Sequence, residues 1–527
     1  MCASIIINNI YGRCEMAQVH ENFIRNYLNK KPALLSTQLI AIVKEGFPEC
    51  NETNIRKIIS NAAKKGLINS SAPMTFGNNQ YAYFSANKKF SYEILKHLIQ
   101  EHKPTLFRVI TALRLNSYIL TLNELYKISG CKTTGNSNFL TVKDILNDLT
   151  LLDLANYDFG GDIKFIYSKR IESAKDHAYQ LCETRLAEES TLLSCAITWL
   201  KKVNIIDSQK VIFKGKTNNY NGIEMNNTYW DATSFTTTVG YKDYSQNEKT
   251  IVVIDFLYNR EYQEFDLKGF LSRINMTIHS VKNKKRKILP IIFAPSFNPS
   301  AISKIRSRSI MMFDFNSVFG TNALDIVKRH VRMQKASAVE PKEISDLLDR
   351  IENSNMPDNY SNIKGDLFEY LMRPVFEKIW NGANISHSVT VNGLEYDYII
   401  ETLSEYIVIE LKGYKQDSII KLGKFDNKKQ KPQRDTVKWF LSYTFPSVKK
   451  VYEKNPNNRE VKLCYITTAS FNEEALKALN SKNQSKEKPN DIDCYYDGNK
   501  LRSLLKKCSA DNELQILNRY YLTEPEF

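Results

Sequence analysis

Between residues 365 and 414 the hydrophobic period of the chain changes once, and that change narrows the folds open to it. Across 365–380 apolar residues recur at helical spacing, with Leu367, Phe368, Leu371, Met372, Val375, Phe376 and Ile379 on one face. Two strand-like runs follow, at 394–400 and 406–411, with turn-tolerant residues between them. In a strand, residues two apart share a face, so Glu410 and Lys412 point together while Leu411 points to the other side. A carboxylate and an ammonium at the end of an apolar strand, facing Asp397 on its neighbour, make a polar cluster beside a core. Such a cluster is costly to bury unless a metal or substrate completes it.

The tripeptide Glu-x-Lys also occurs at Glu101-His102-Lys103, Glu340-Pro341-Lys342 and Glu460-Val461-Lys462. The first ends a helix, the second holds a proline that would weaken a central strand, and the third opens an apolar run instead of closing one. Order and spacing single out Glu410: a helix bearing Glu369, a strand with Asp397, a short turn, then an apolar strand ending in Glu410-Leu411-Lys412. This order resembles the PD-(D/E)xK restriction-endonuclease-like nucleases. Downstream, LCYITT at 463–468, a helix at 472–479, DIDCYYDG at 491–498 and a helix at 500–507 are similar to the Mrr-like branch, in which an ITT-F-EEAL strand–helix junction is typical. The resemblance spans roughly 359–507.

The resemblance implies a Mg²⁺-dependent endonuclease that hydrolyses DNA phosphodiester bonds, most simply of double-stranded DNA, in a prokaryotic restriction or anti-phage system. Hard oxygen donors favour Mg²⁺ or Mn²⁺, and Mg²⁺ takes only one or two carboxylates beside water and phosphate. Asp397 and Glu410 fit that ligand set, with the carbonyl of Leu411 as a third donor. Lys412 is expected to orient or deprotonate the attacking water and to stabilise charge on the phosphate. Glu369 is assigned a metal-bound water or a second ion, against the alternative of a helix-surface acid. Glu395, on the same face as Asp397, is the nearest competing assignment, and His387 is read as structural or solvent-facing. Two other readings stay open: a non-catalytic DNA-binding regulator or scaffold, and an RNA-directed nuclease.

The fold class expected is multi-domain α+β and α/β. Residues 1–88 read as a winged helix, with three helices at 17–28, 36–45 and 51–65 followed by a hairpin across 67–84. Arg56, Lys57, Lys64 and Lys65 make its third helix the candidate DNA reader. A second winged helix is read at 89–170; its fourth helix is acidic (Asp144, Asp148), so it is expected to pack or dimerise. Residues 171–335 repeat the order of the C-terminal region: a long helix, an Asp231 segment, the apolar strand TIVVIDF with Asp255, then helix, strand, helix and strand. Leu257 stands where a lysine is needed, so this copy is expected to be a degenerate nuclease-like domain with Asp231 and Asp255 as its remnant site. Its basic run at 282–287 (KNKKRK) is a further candidate for tracking a phosphate backbone. Residues 336–361 read as a linker and 362–527 as the nuclease domain. Lys415, Lys421 and Arg434, in the lysine-rich stretch after Lys412, are a second candidate DNA surface. Trp439, Phe440 and Tyr443 read mainly as core.

A formal net charge of +15, from 73 Lys and Arg against 58 Asp and Glu, attracts polyanions and agrees with a nucleic-acid partner. The nine cysteines include no Cys-x-x-Cys pair, and the seven histidines make no i, i+4 pair and no His–Cys cluster, so neither zinc ribbon nor disulfide framework is indicated. No signal peptide and no apolar run of spanning length is read, which predicts a soluble, cytoplasmic protein without membrane contact. No Walker-type loop is present, so an ATPase or a methyltransferase would be a separate partner. One active site per chain further points to a homodimer or to successive nicks.

Overall fold

The helical spacing of the first region folds as the pattern dictates. In the computed structural model, which describes residues 18–133, 140–207, 210–215, 222–236, 250–280, 287–336, 338–354, 356–414, 418–426, 431–434, 436–454 and 459–522, a helix α1 covers 18–30. It is followed by β1 (Leu34–Leu35), α2 (Ser36–Gly46), α3 (Glu52–Lys64), β2 (Ile68–Ser70) and β3 (Ala82–Ser85). Asn51 caps α3 by accepting the Asn54 N–H, and the strands form an antiparallel sheet in the order β1-β3-β2. Ile24, Leu28, Leu39, Val43, Ile55 and Ile59 bury the apolar stripes of the three helices against one another.

A second helical module comprises α4 (Tyr92–His102), α5 (Pro104–Leu115), β4 (Ile119–Thr121), α6 (Leu122–Ser129), α7 (Val142–Leu151), β5 (Ala155–Asp158) and β6 (Phe165–Ser168). Its strands form the antiparallel sheet β4-β6-β5. Thr121 with Glu124 and Thr141 with Asp144 make capping boxes that fix where α6 and α7 begin.

The mixed α/β region that follows contains α8 (Lys175–Lys202), β7 (Ile212–Phe213), β8 (Ile223–Met225), β9 (Thr228–Trp230), β10 (Ala232–Thr236), β11 (Thr250–Phe256), α9 (Glu264–Ser280), β12 (Ile288–Ala294), α10 (Pro299–Arg306) and β13 (Met311–Asp314). Beyond it lie α11 (Ala323–Lys335), α12 (Pro341–Glu352), α13 (Ser361–Ile379), β14 (Asn384–Val391), β15 (Leu394–Glu401), β16 (Glu405–Lys412), α14 (Phe445–Tyr452), β17 (Glu460–Thr467), α15 (Glu473–Asn483), β18 (Tyr495–Tyr496), α16 (Gly498–Lys507) and α17 (Asp511–Tyr520). The chain is thus a mixed α/β protein with several sheets, and it divides into two compact units, Met1–Leu193 with Ile197–Phe315 and Ser194–Ala196 with Asn316–Phe527.

Each unit holds one five-stranded sheet, and the two sheets share a plan. In the first, the order β7-β10-β11-β12-β13 runs antiparallel, antiparallel, parallel, parallel. In the second, β14-β15-β16-β17-β18 repeats that sequence of pairings. The strand at which pairing changes sense, β11 or β16, lies deep in its sheet: every residue of β11 is buried, as are six of the eight in β16. Strands covered on both faces read as continuous hydrophobic runs, which is why TIVVIDF and YIVIEL stand out in the sequence. Residues 336–361, expected as a linker, carry α12, whose Ile344, Leu347, Leu348 and Ile351 are buried and which packs on α13 and α17. Among the described residues no helix is long and apolar enough to cross a membrane.

Candidate active site on the second sheet

The β15–β16 ladder holds from Glu401↔Tyr406 to Tyr398↔Ile409 and then stops, although both strands continue. Where it opens, the side chain of Asp397 takes over a backbone role: its Oδ2 accepts the N–H of Leu411 at 2.6 Å. This turns the Asp397 carboxylate towards the end of β16, where Glu410 and Lys412 share a face. The Lys412 ammonium lies 2.7 Å from Glu410 Oε1 and 3.7 Å from Asp397 Oδ2. All three side chains are partly exposed, at 14–21%. Leu411 points into the core, and its buried side chain anchors the strand.

Gly413 brings the helix to this point. A Cβ there would sit 2.8 Å from Phe368 Cβ, so only glycine lets α13 approach the end of β16 so closely. Glu369, the next residue on α13, thereby joins the cluster electrostatically. Burial, then Asp397 and Asp366, push its carboxyl well above the usual range. Its Oε2 lies 3.0 Å from His387 Nε2, and the Tyr398 hydroxyl donates to its backbone carbonyl. His387, read as structural or solvent-facing, is partly buried and braces Glu369, a structural role beside the site. Burial lowers its pKa despite Asp397 and Asp366, which favours a neutral imidazole. Burial would also lower Lys412, but Asp397 and Glu410 outweigh it and hold the ammonium well above its ordinary value.

Two carboxylates, Asp397 and Glu410, thus flank one ammonium, and the Glu369 carboxyl lies close enough to feel all three charges. This all-oxygen, charge-deficient set fits a hard divalent cation on one or two carboxylates. It is not a closed three-carboxylate cage, since the only group of three ligand-type side chains with donor atoms within 4.8 Å of one another, among the described residues, lies elsewhere. The rival Glu460-Val461-Lys462 sits at the start of β17. There Lys462 is buried, donates to the Lys486 carbonyl and lies 3.6 Å from Glu405, a structural pair.

The first sheet carries the same backbone device with the opposite charge balance. Asp231 Oδ2 accepts the N–H of Phe256, the residue after Asp255, at 2.7 Å, just as Asp397 accepts that of the residue after Glu410. Leu257 offers no ammonium, but Lys127 from α6 does: its Nζ lies 2.5 Å from Asp231 and 3.4 Å from Asp255, and donates to the Phe256 carbonyl. Lys214 binds Asp231 at 2.5 Å and Glu189 at 2.8 Å, and Arg273 binds Asp255 at 2.8 Å. Burial alone would raise both aspartates; Lys127 and Lys214 hold Asp231, and Arg273 and Lys127 hold Asp255, below the usual carboxylate range. The cavity beside Asp255, Glu189, Lys127 and Arg273 holds about 20 Å³, room for one water and not for a phosphate.

The candidate DNA-binding residues fall into three groups. Arg56, Lys57 and Lys64 are exposed on α3, whereas Lys65, just past it, is committed to the buried Glu21 at 2.7 Å. Lys421 and Arg434 are exposed on the second unit. Lys415 and residues 282–286 of the basic run lie outside the described residues. Lys421 lines a cleft of about 460 Å³ with Tyr414, Lys424, Gln433, Thr436 and Asn472, beginning two residues past Lys412. Phe440 is core as expected, but Trp439 and Tyr443 are only partly buried. Their rings lie 4.3 Å apart, with Lys431 4.8 Å from the Tyr443 ring and Arg434 5.7 Å from the Trp439 ring.

Three partnerships were not legible in the sequence. His387 meets Glu369 across 18 positions, Lys127 meets Asp231 across 104, and His20 meets Cys50 across 30, so a His–Cys contact does exist. No spacing rule encodes such pairs; a lysine at helical position within an apolar stripe, as Lys127 is beside Leu125 and Ile128, is the one signal that was available. Set against protein-family models, curated proteins and solved structures, the chain matches none.

Proposed function

We propose that the protein is a metal-dependent endonuclease of the restriction-endonuclease-like kind, acting on DNA through the second sheet, with the first sheet retained as an inactive copy. The observation that carries this reading is the Lys412 ammonium set between Glu410 and Asp397, at 2.7 and 3.7 Å, at the partly exposed end of a buried strand. Asp397 and Glu410, with the Leu411 carbonyl, would hold Mg²⁺ or Mn²⁺. Such an ion supplies Lewis acidity towards a phosphate oxygen and lowers the pKa of a water. Lys412 remains an ammonium, orients the attacking water and opposes charge as it grows on the phosphate. His387, held neutral by burial, keeps Glu369 in place through the Nε2–Oε2 contact. Lys421, Lys424 and Gln433 in the adjoining cleft, and the Lys431–Tyr443 and Arg434–Trp439 pairs, present cations and ring faces to a nucleic-acid strand. The helical modules are read as winged helices, the first using Arg56, Lys57 and Lys64 on α3 for phosphate contact. The basic excess of the chain supports DNA as the partner, and the setting proposed is a prokaryotic restriction or anti-phage system.

Cleavage of supercoiled plasmid with Mg²⁺, and with EDTA as control, tests the site. Asp397→Ala, Glu410→Ala and Lys412→Ala are each expected to lower cleavage by about a hundredfold or more while leaving DNA binding intact. Full activity in all three variants overturns the assignment. Parallel assays on duplex DNA, single strands and RNA establish the substrate class.

A further inference from the structure

The first helical module contains a group of donors that the nuclease reading does not use. His20 on α1 is only 7% exposed, and its ring packs edge-on against Phe47 at 4.2 Å. Its Nε2 lies 3.8 Å from the sulfur of Cys50, in the turn between α2 and α3. The neighbouring Glu49 is exposed and completes the set: one donor atom from each of the three residues lies within 4.8 Å of the others. The turn holds this geometry through the Cys50 N–H, which donates to the Phe47 carbonyl, and through Asn51, which caps α3 immediately afterwards.

We propose that His20, Glu49 and Cys50 form a zinc site that clips α1 to the α2–α3 corner, with water as the fourth ligand. The donor chemistry selects the metal: an imidazole, a thiolate and a carboxylate suit Zn²⁺, while Mg²⁺ and Ca²⁺ call for oxygen alone. The spacing agrees as well. Bonds of about 2.3 Å to sulfur and about 2.0 Å to nitrogen at a tetrahedral angle put those atoms about 3.5 Å apart, against 3.8 Å here. Zinc takes cysteine as the thiolate, so binding releases the thiol proton to solvent and affinity falls as pH is lowered. The site is independent of the nuclease assignment, since it shares no residue with it.

Cobalt(II) titrated into the metal-stripped full-length protein reports the site directly, because a thiolate ligand gives a near-ultraviolet charge-transfer band that carboxylates do not. The Asp397–Glu410 pair offers no sulfur, so it cannot produce this signal. One equivalent of Co²⁺ is expected to develop the band, Zn²⁺ to displace it, and Cys50→Ser to abolish it. His20→Ala is expected to lower affinity at least tenfold, and Cys50→Ser, nearly isosteric, guards against misfolding of the histidine variant. Absence of the band in the wild-type protein, or its persistence in Cys50→Ser, overturns the proposal.

Discussion

Glu369 has a position that ought to be unfavourable. Its carboxyl is half-buried beside two other acids, Asp397 and Asp366, and is pushed above its ordinary pKa. A group raised in this way contributes stability that is fully present below its unfolded pKa, about 4.3, and lost as pH rises through the folded value. Glu369→Gln, which cannot ionise, is therefore expected to melt at a higher temperature than the wild-type protein at pH 8 without divalent metal, with the difference shrinking towards pH 4.5. Thermal melts at the two pH values check this; a variant less stable at pH 8 than at pH 4.5, relative to wild type, contradicts it. Under the proposed function the same change reduces cleavage, the usual opposition between stability and activity where like charges are held together. His387 and Lys412 make the arrangement tolerable, one by hydrogen bonding and the other by opposite charge.

At the scale of elements, periodicity carried far. The apolar spacing in α2, α3, β11 and β16 placed those elements to within a residue or so, because each buries one continuous stripe or run. Glu410, Lys412 and Asp397 were readable for the same reason, since strand alternation fixes which side chains share a face. What the pattern could not supply was the partner from another element. Lys127 belongs to a helix in a different module, and only the packing of α6 on α9, where a Cβ on Gly269 would meet the Lys127 and Ile128 carbonyls at 2.5 and 2.7 Å, brings it to the Asp231–Asp255 pair. Similarly, α12 was read as a connector because its acidic residues hid the Ile344, Leu347, Leu348 and Ile351 stripe. Lys127→Ala would leave each of two buried aspartates with one cation fewer, Lys214 and Arg273 remaining, and is expected to destabilise the first unit by about 1–3 kcal/mol, measured by denaturant unfolding. Plasmid cleavage at a temperature where the variant is folded should be unchanged, because Lys127 has no part in the proposed site.

The whole molecule repeats one sheet plan twice and fills the two copies differently. Among the described residues, only the second sheet combines Asp, Glu and Lys at a partly exposed junction, so each chain is proposed to cut one strand at a time. Under limiting enzyme, relaxed circles should accumulate before linear plasmid; direct appearance of linear product at low enzyme concentration would instead require two chains acting together. The Lys412 contacts have a further consequence. Without a divalent ion the ammonium serves as the counter-charge for the acids it is meant to assist, so a cation entering the site must compete with a tethered one. Under the proposed function, that competition would weaken metal affinity at rest and make loading depend on a phosphate drawing the lysine away, so an idle enzyme would be guarded against stray hydrolysis by its own side chain.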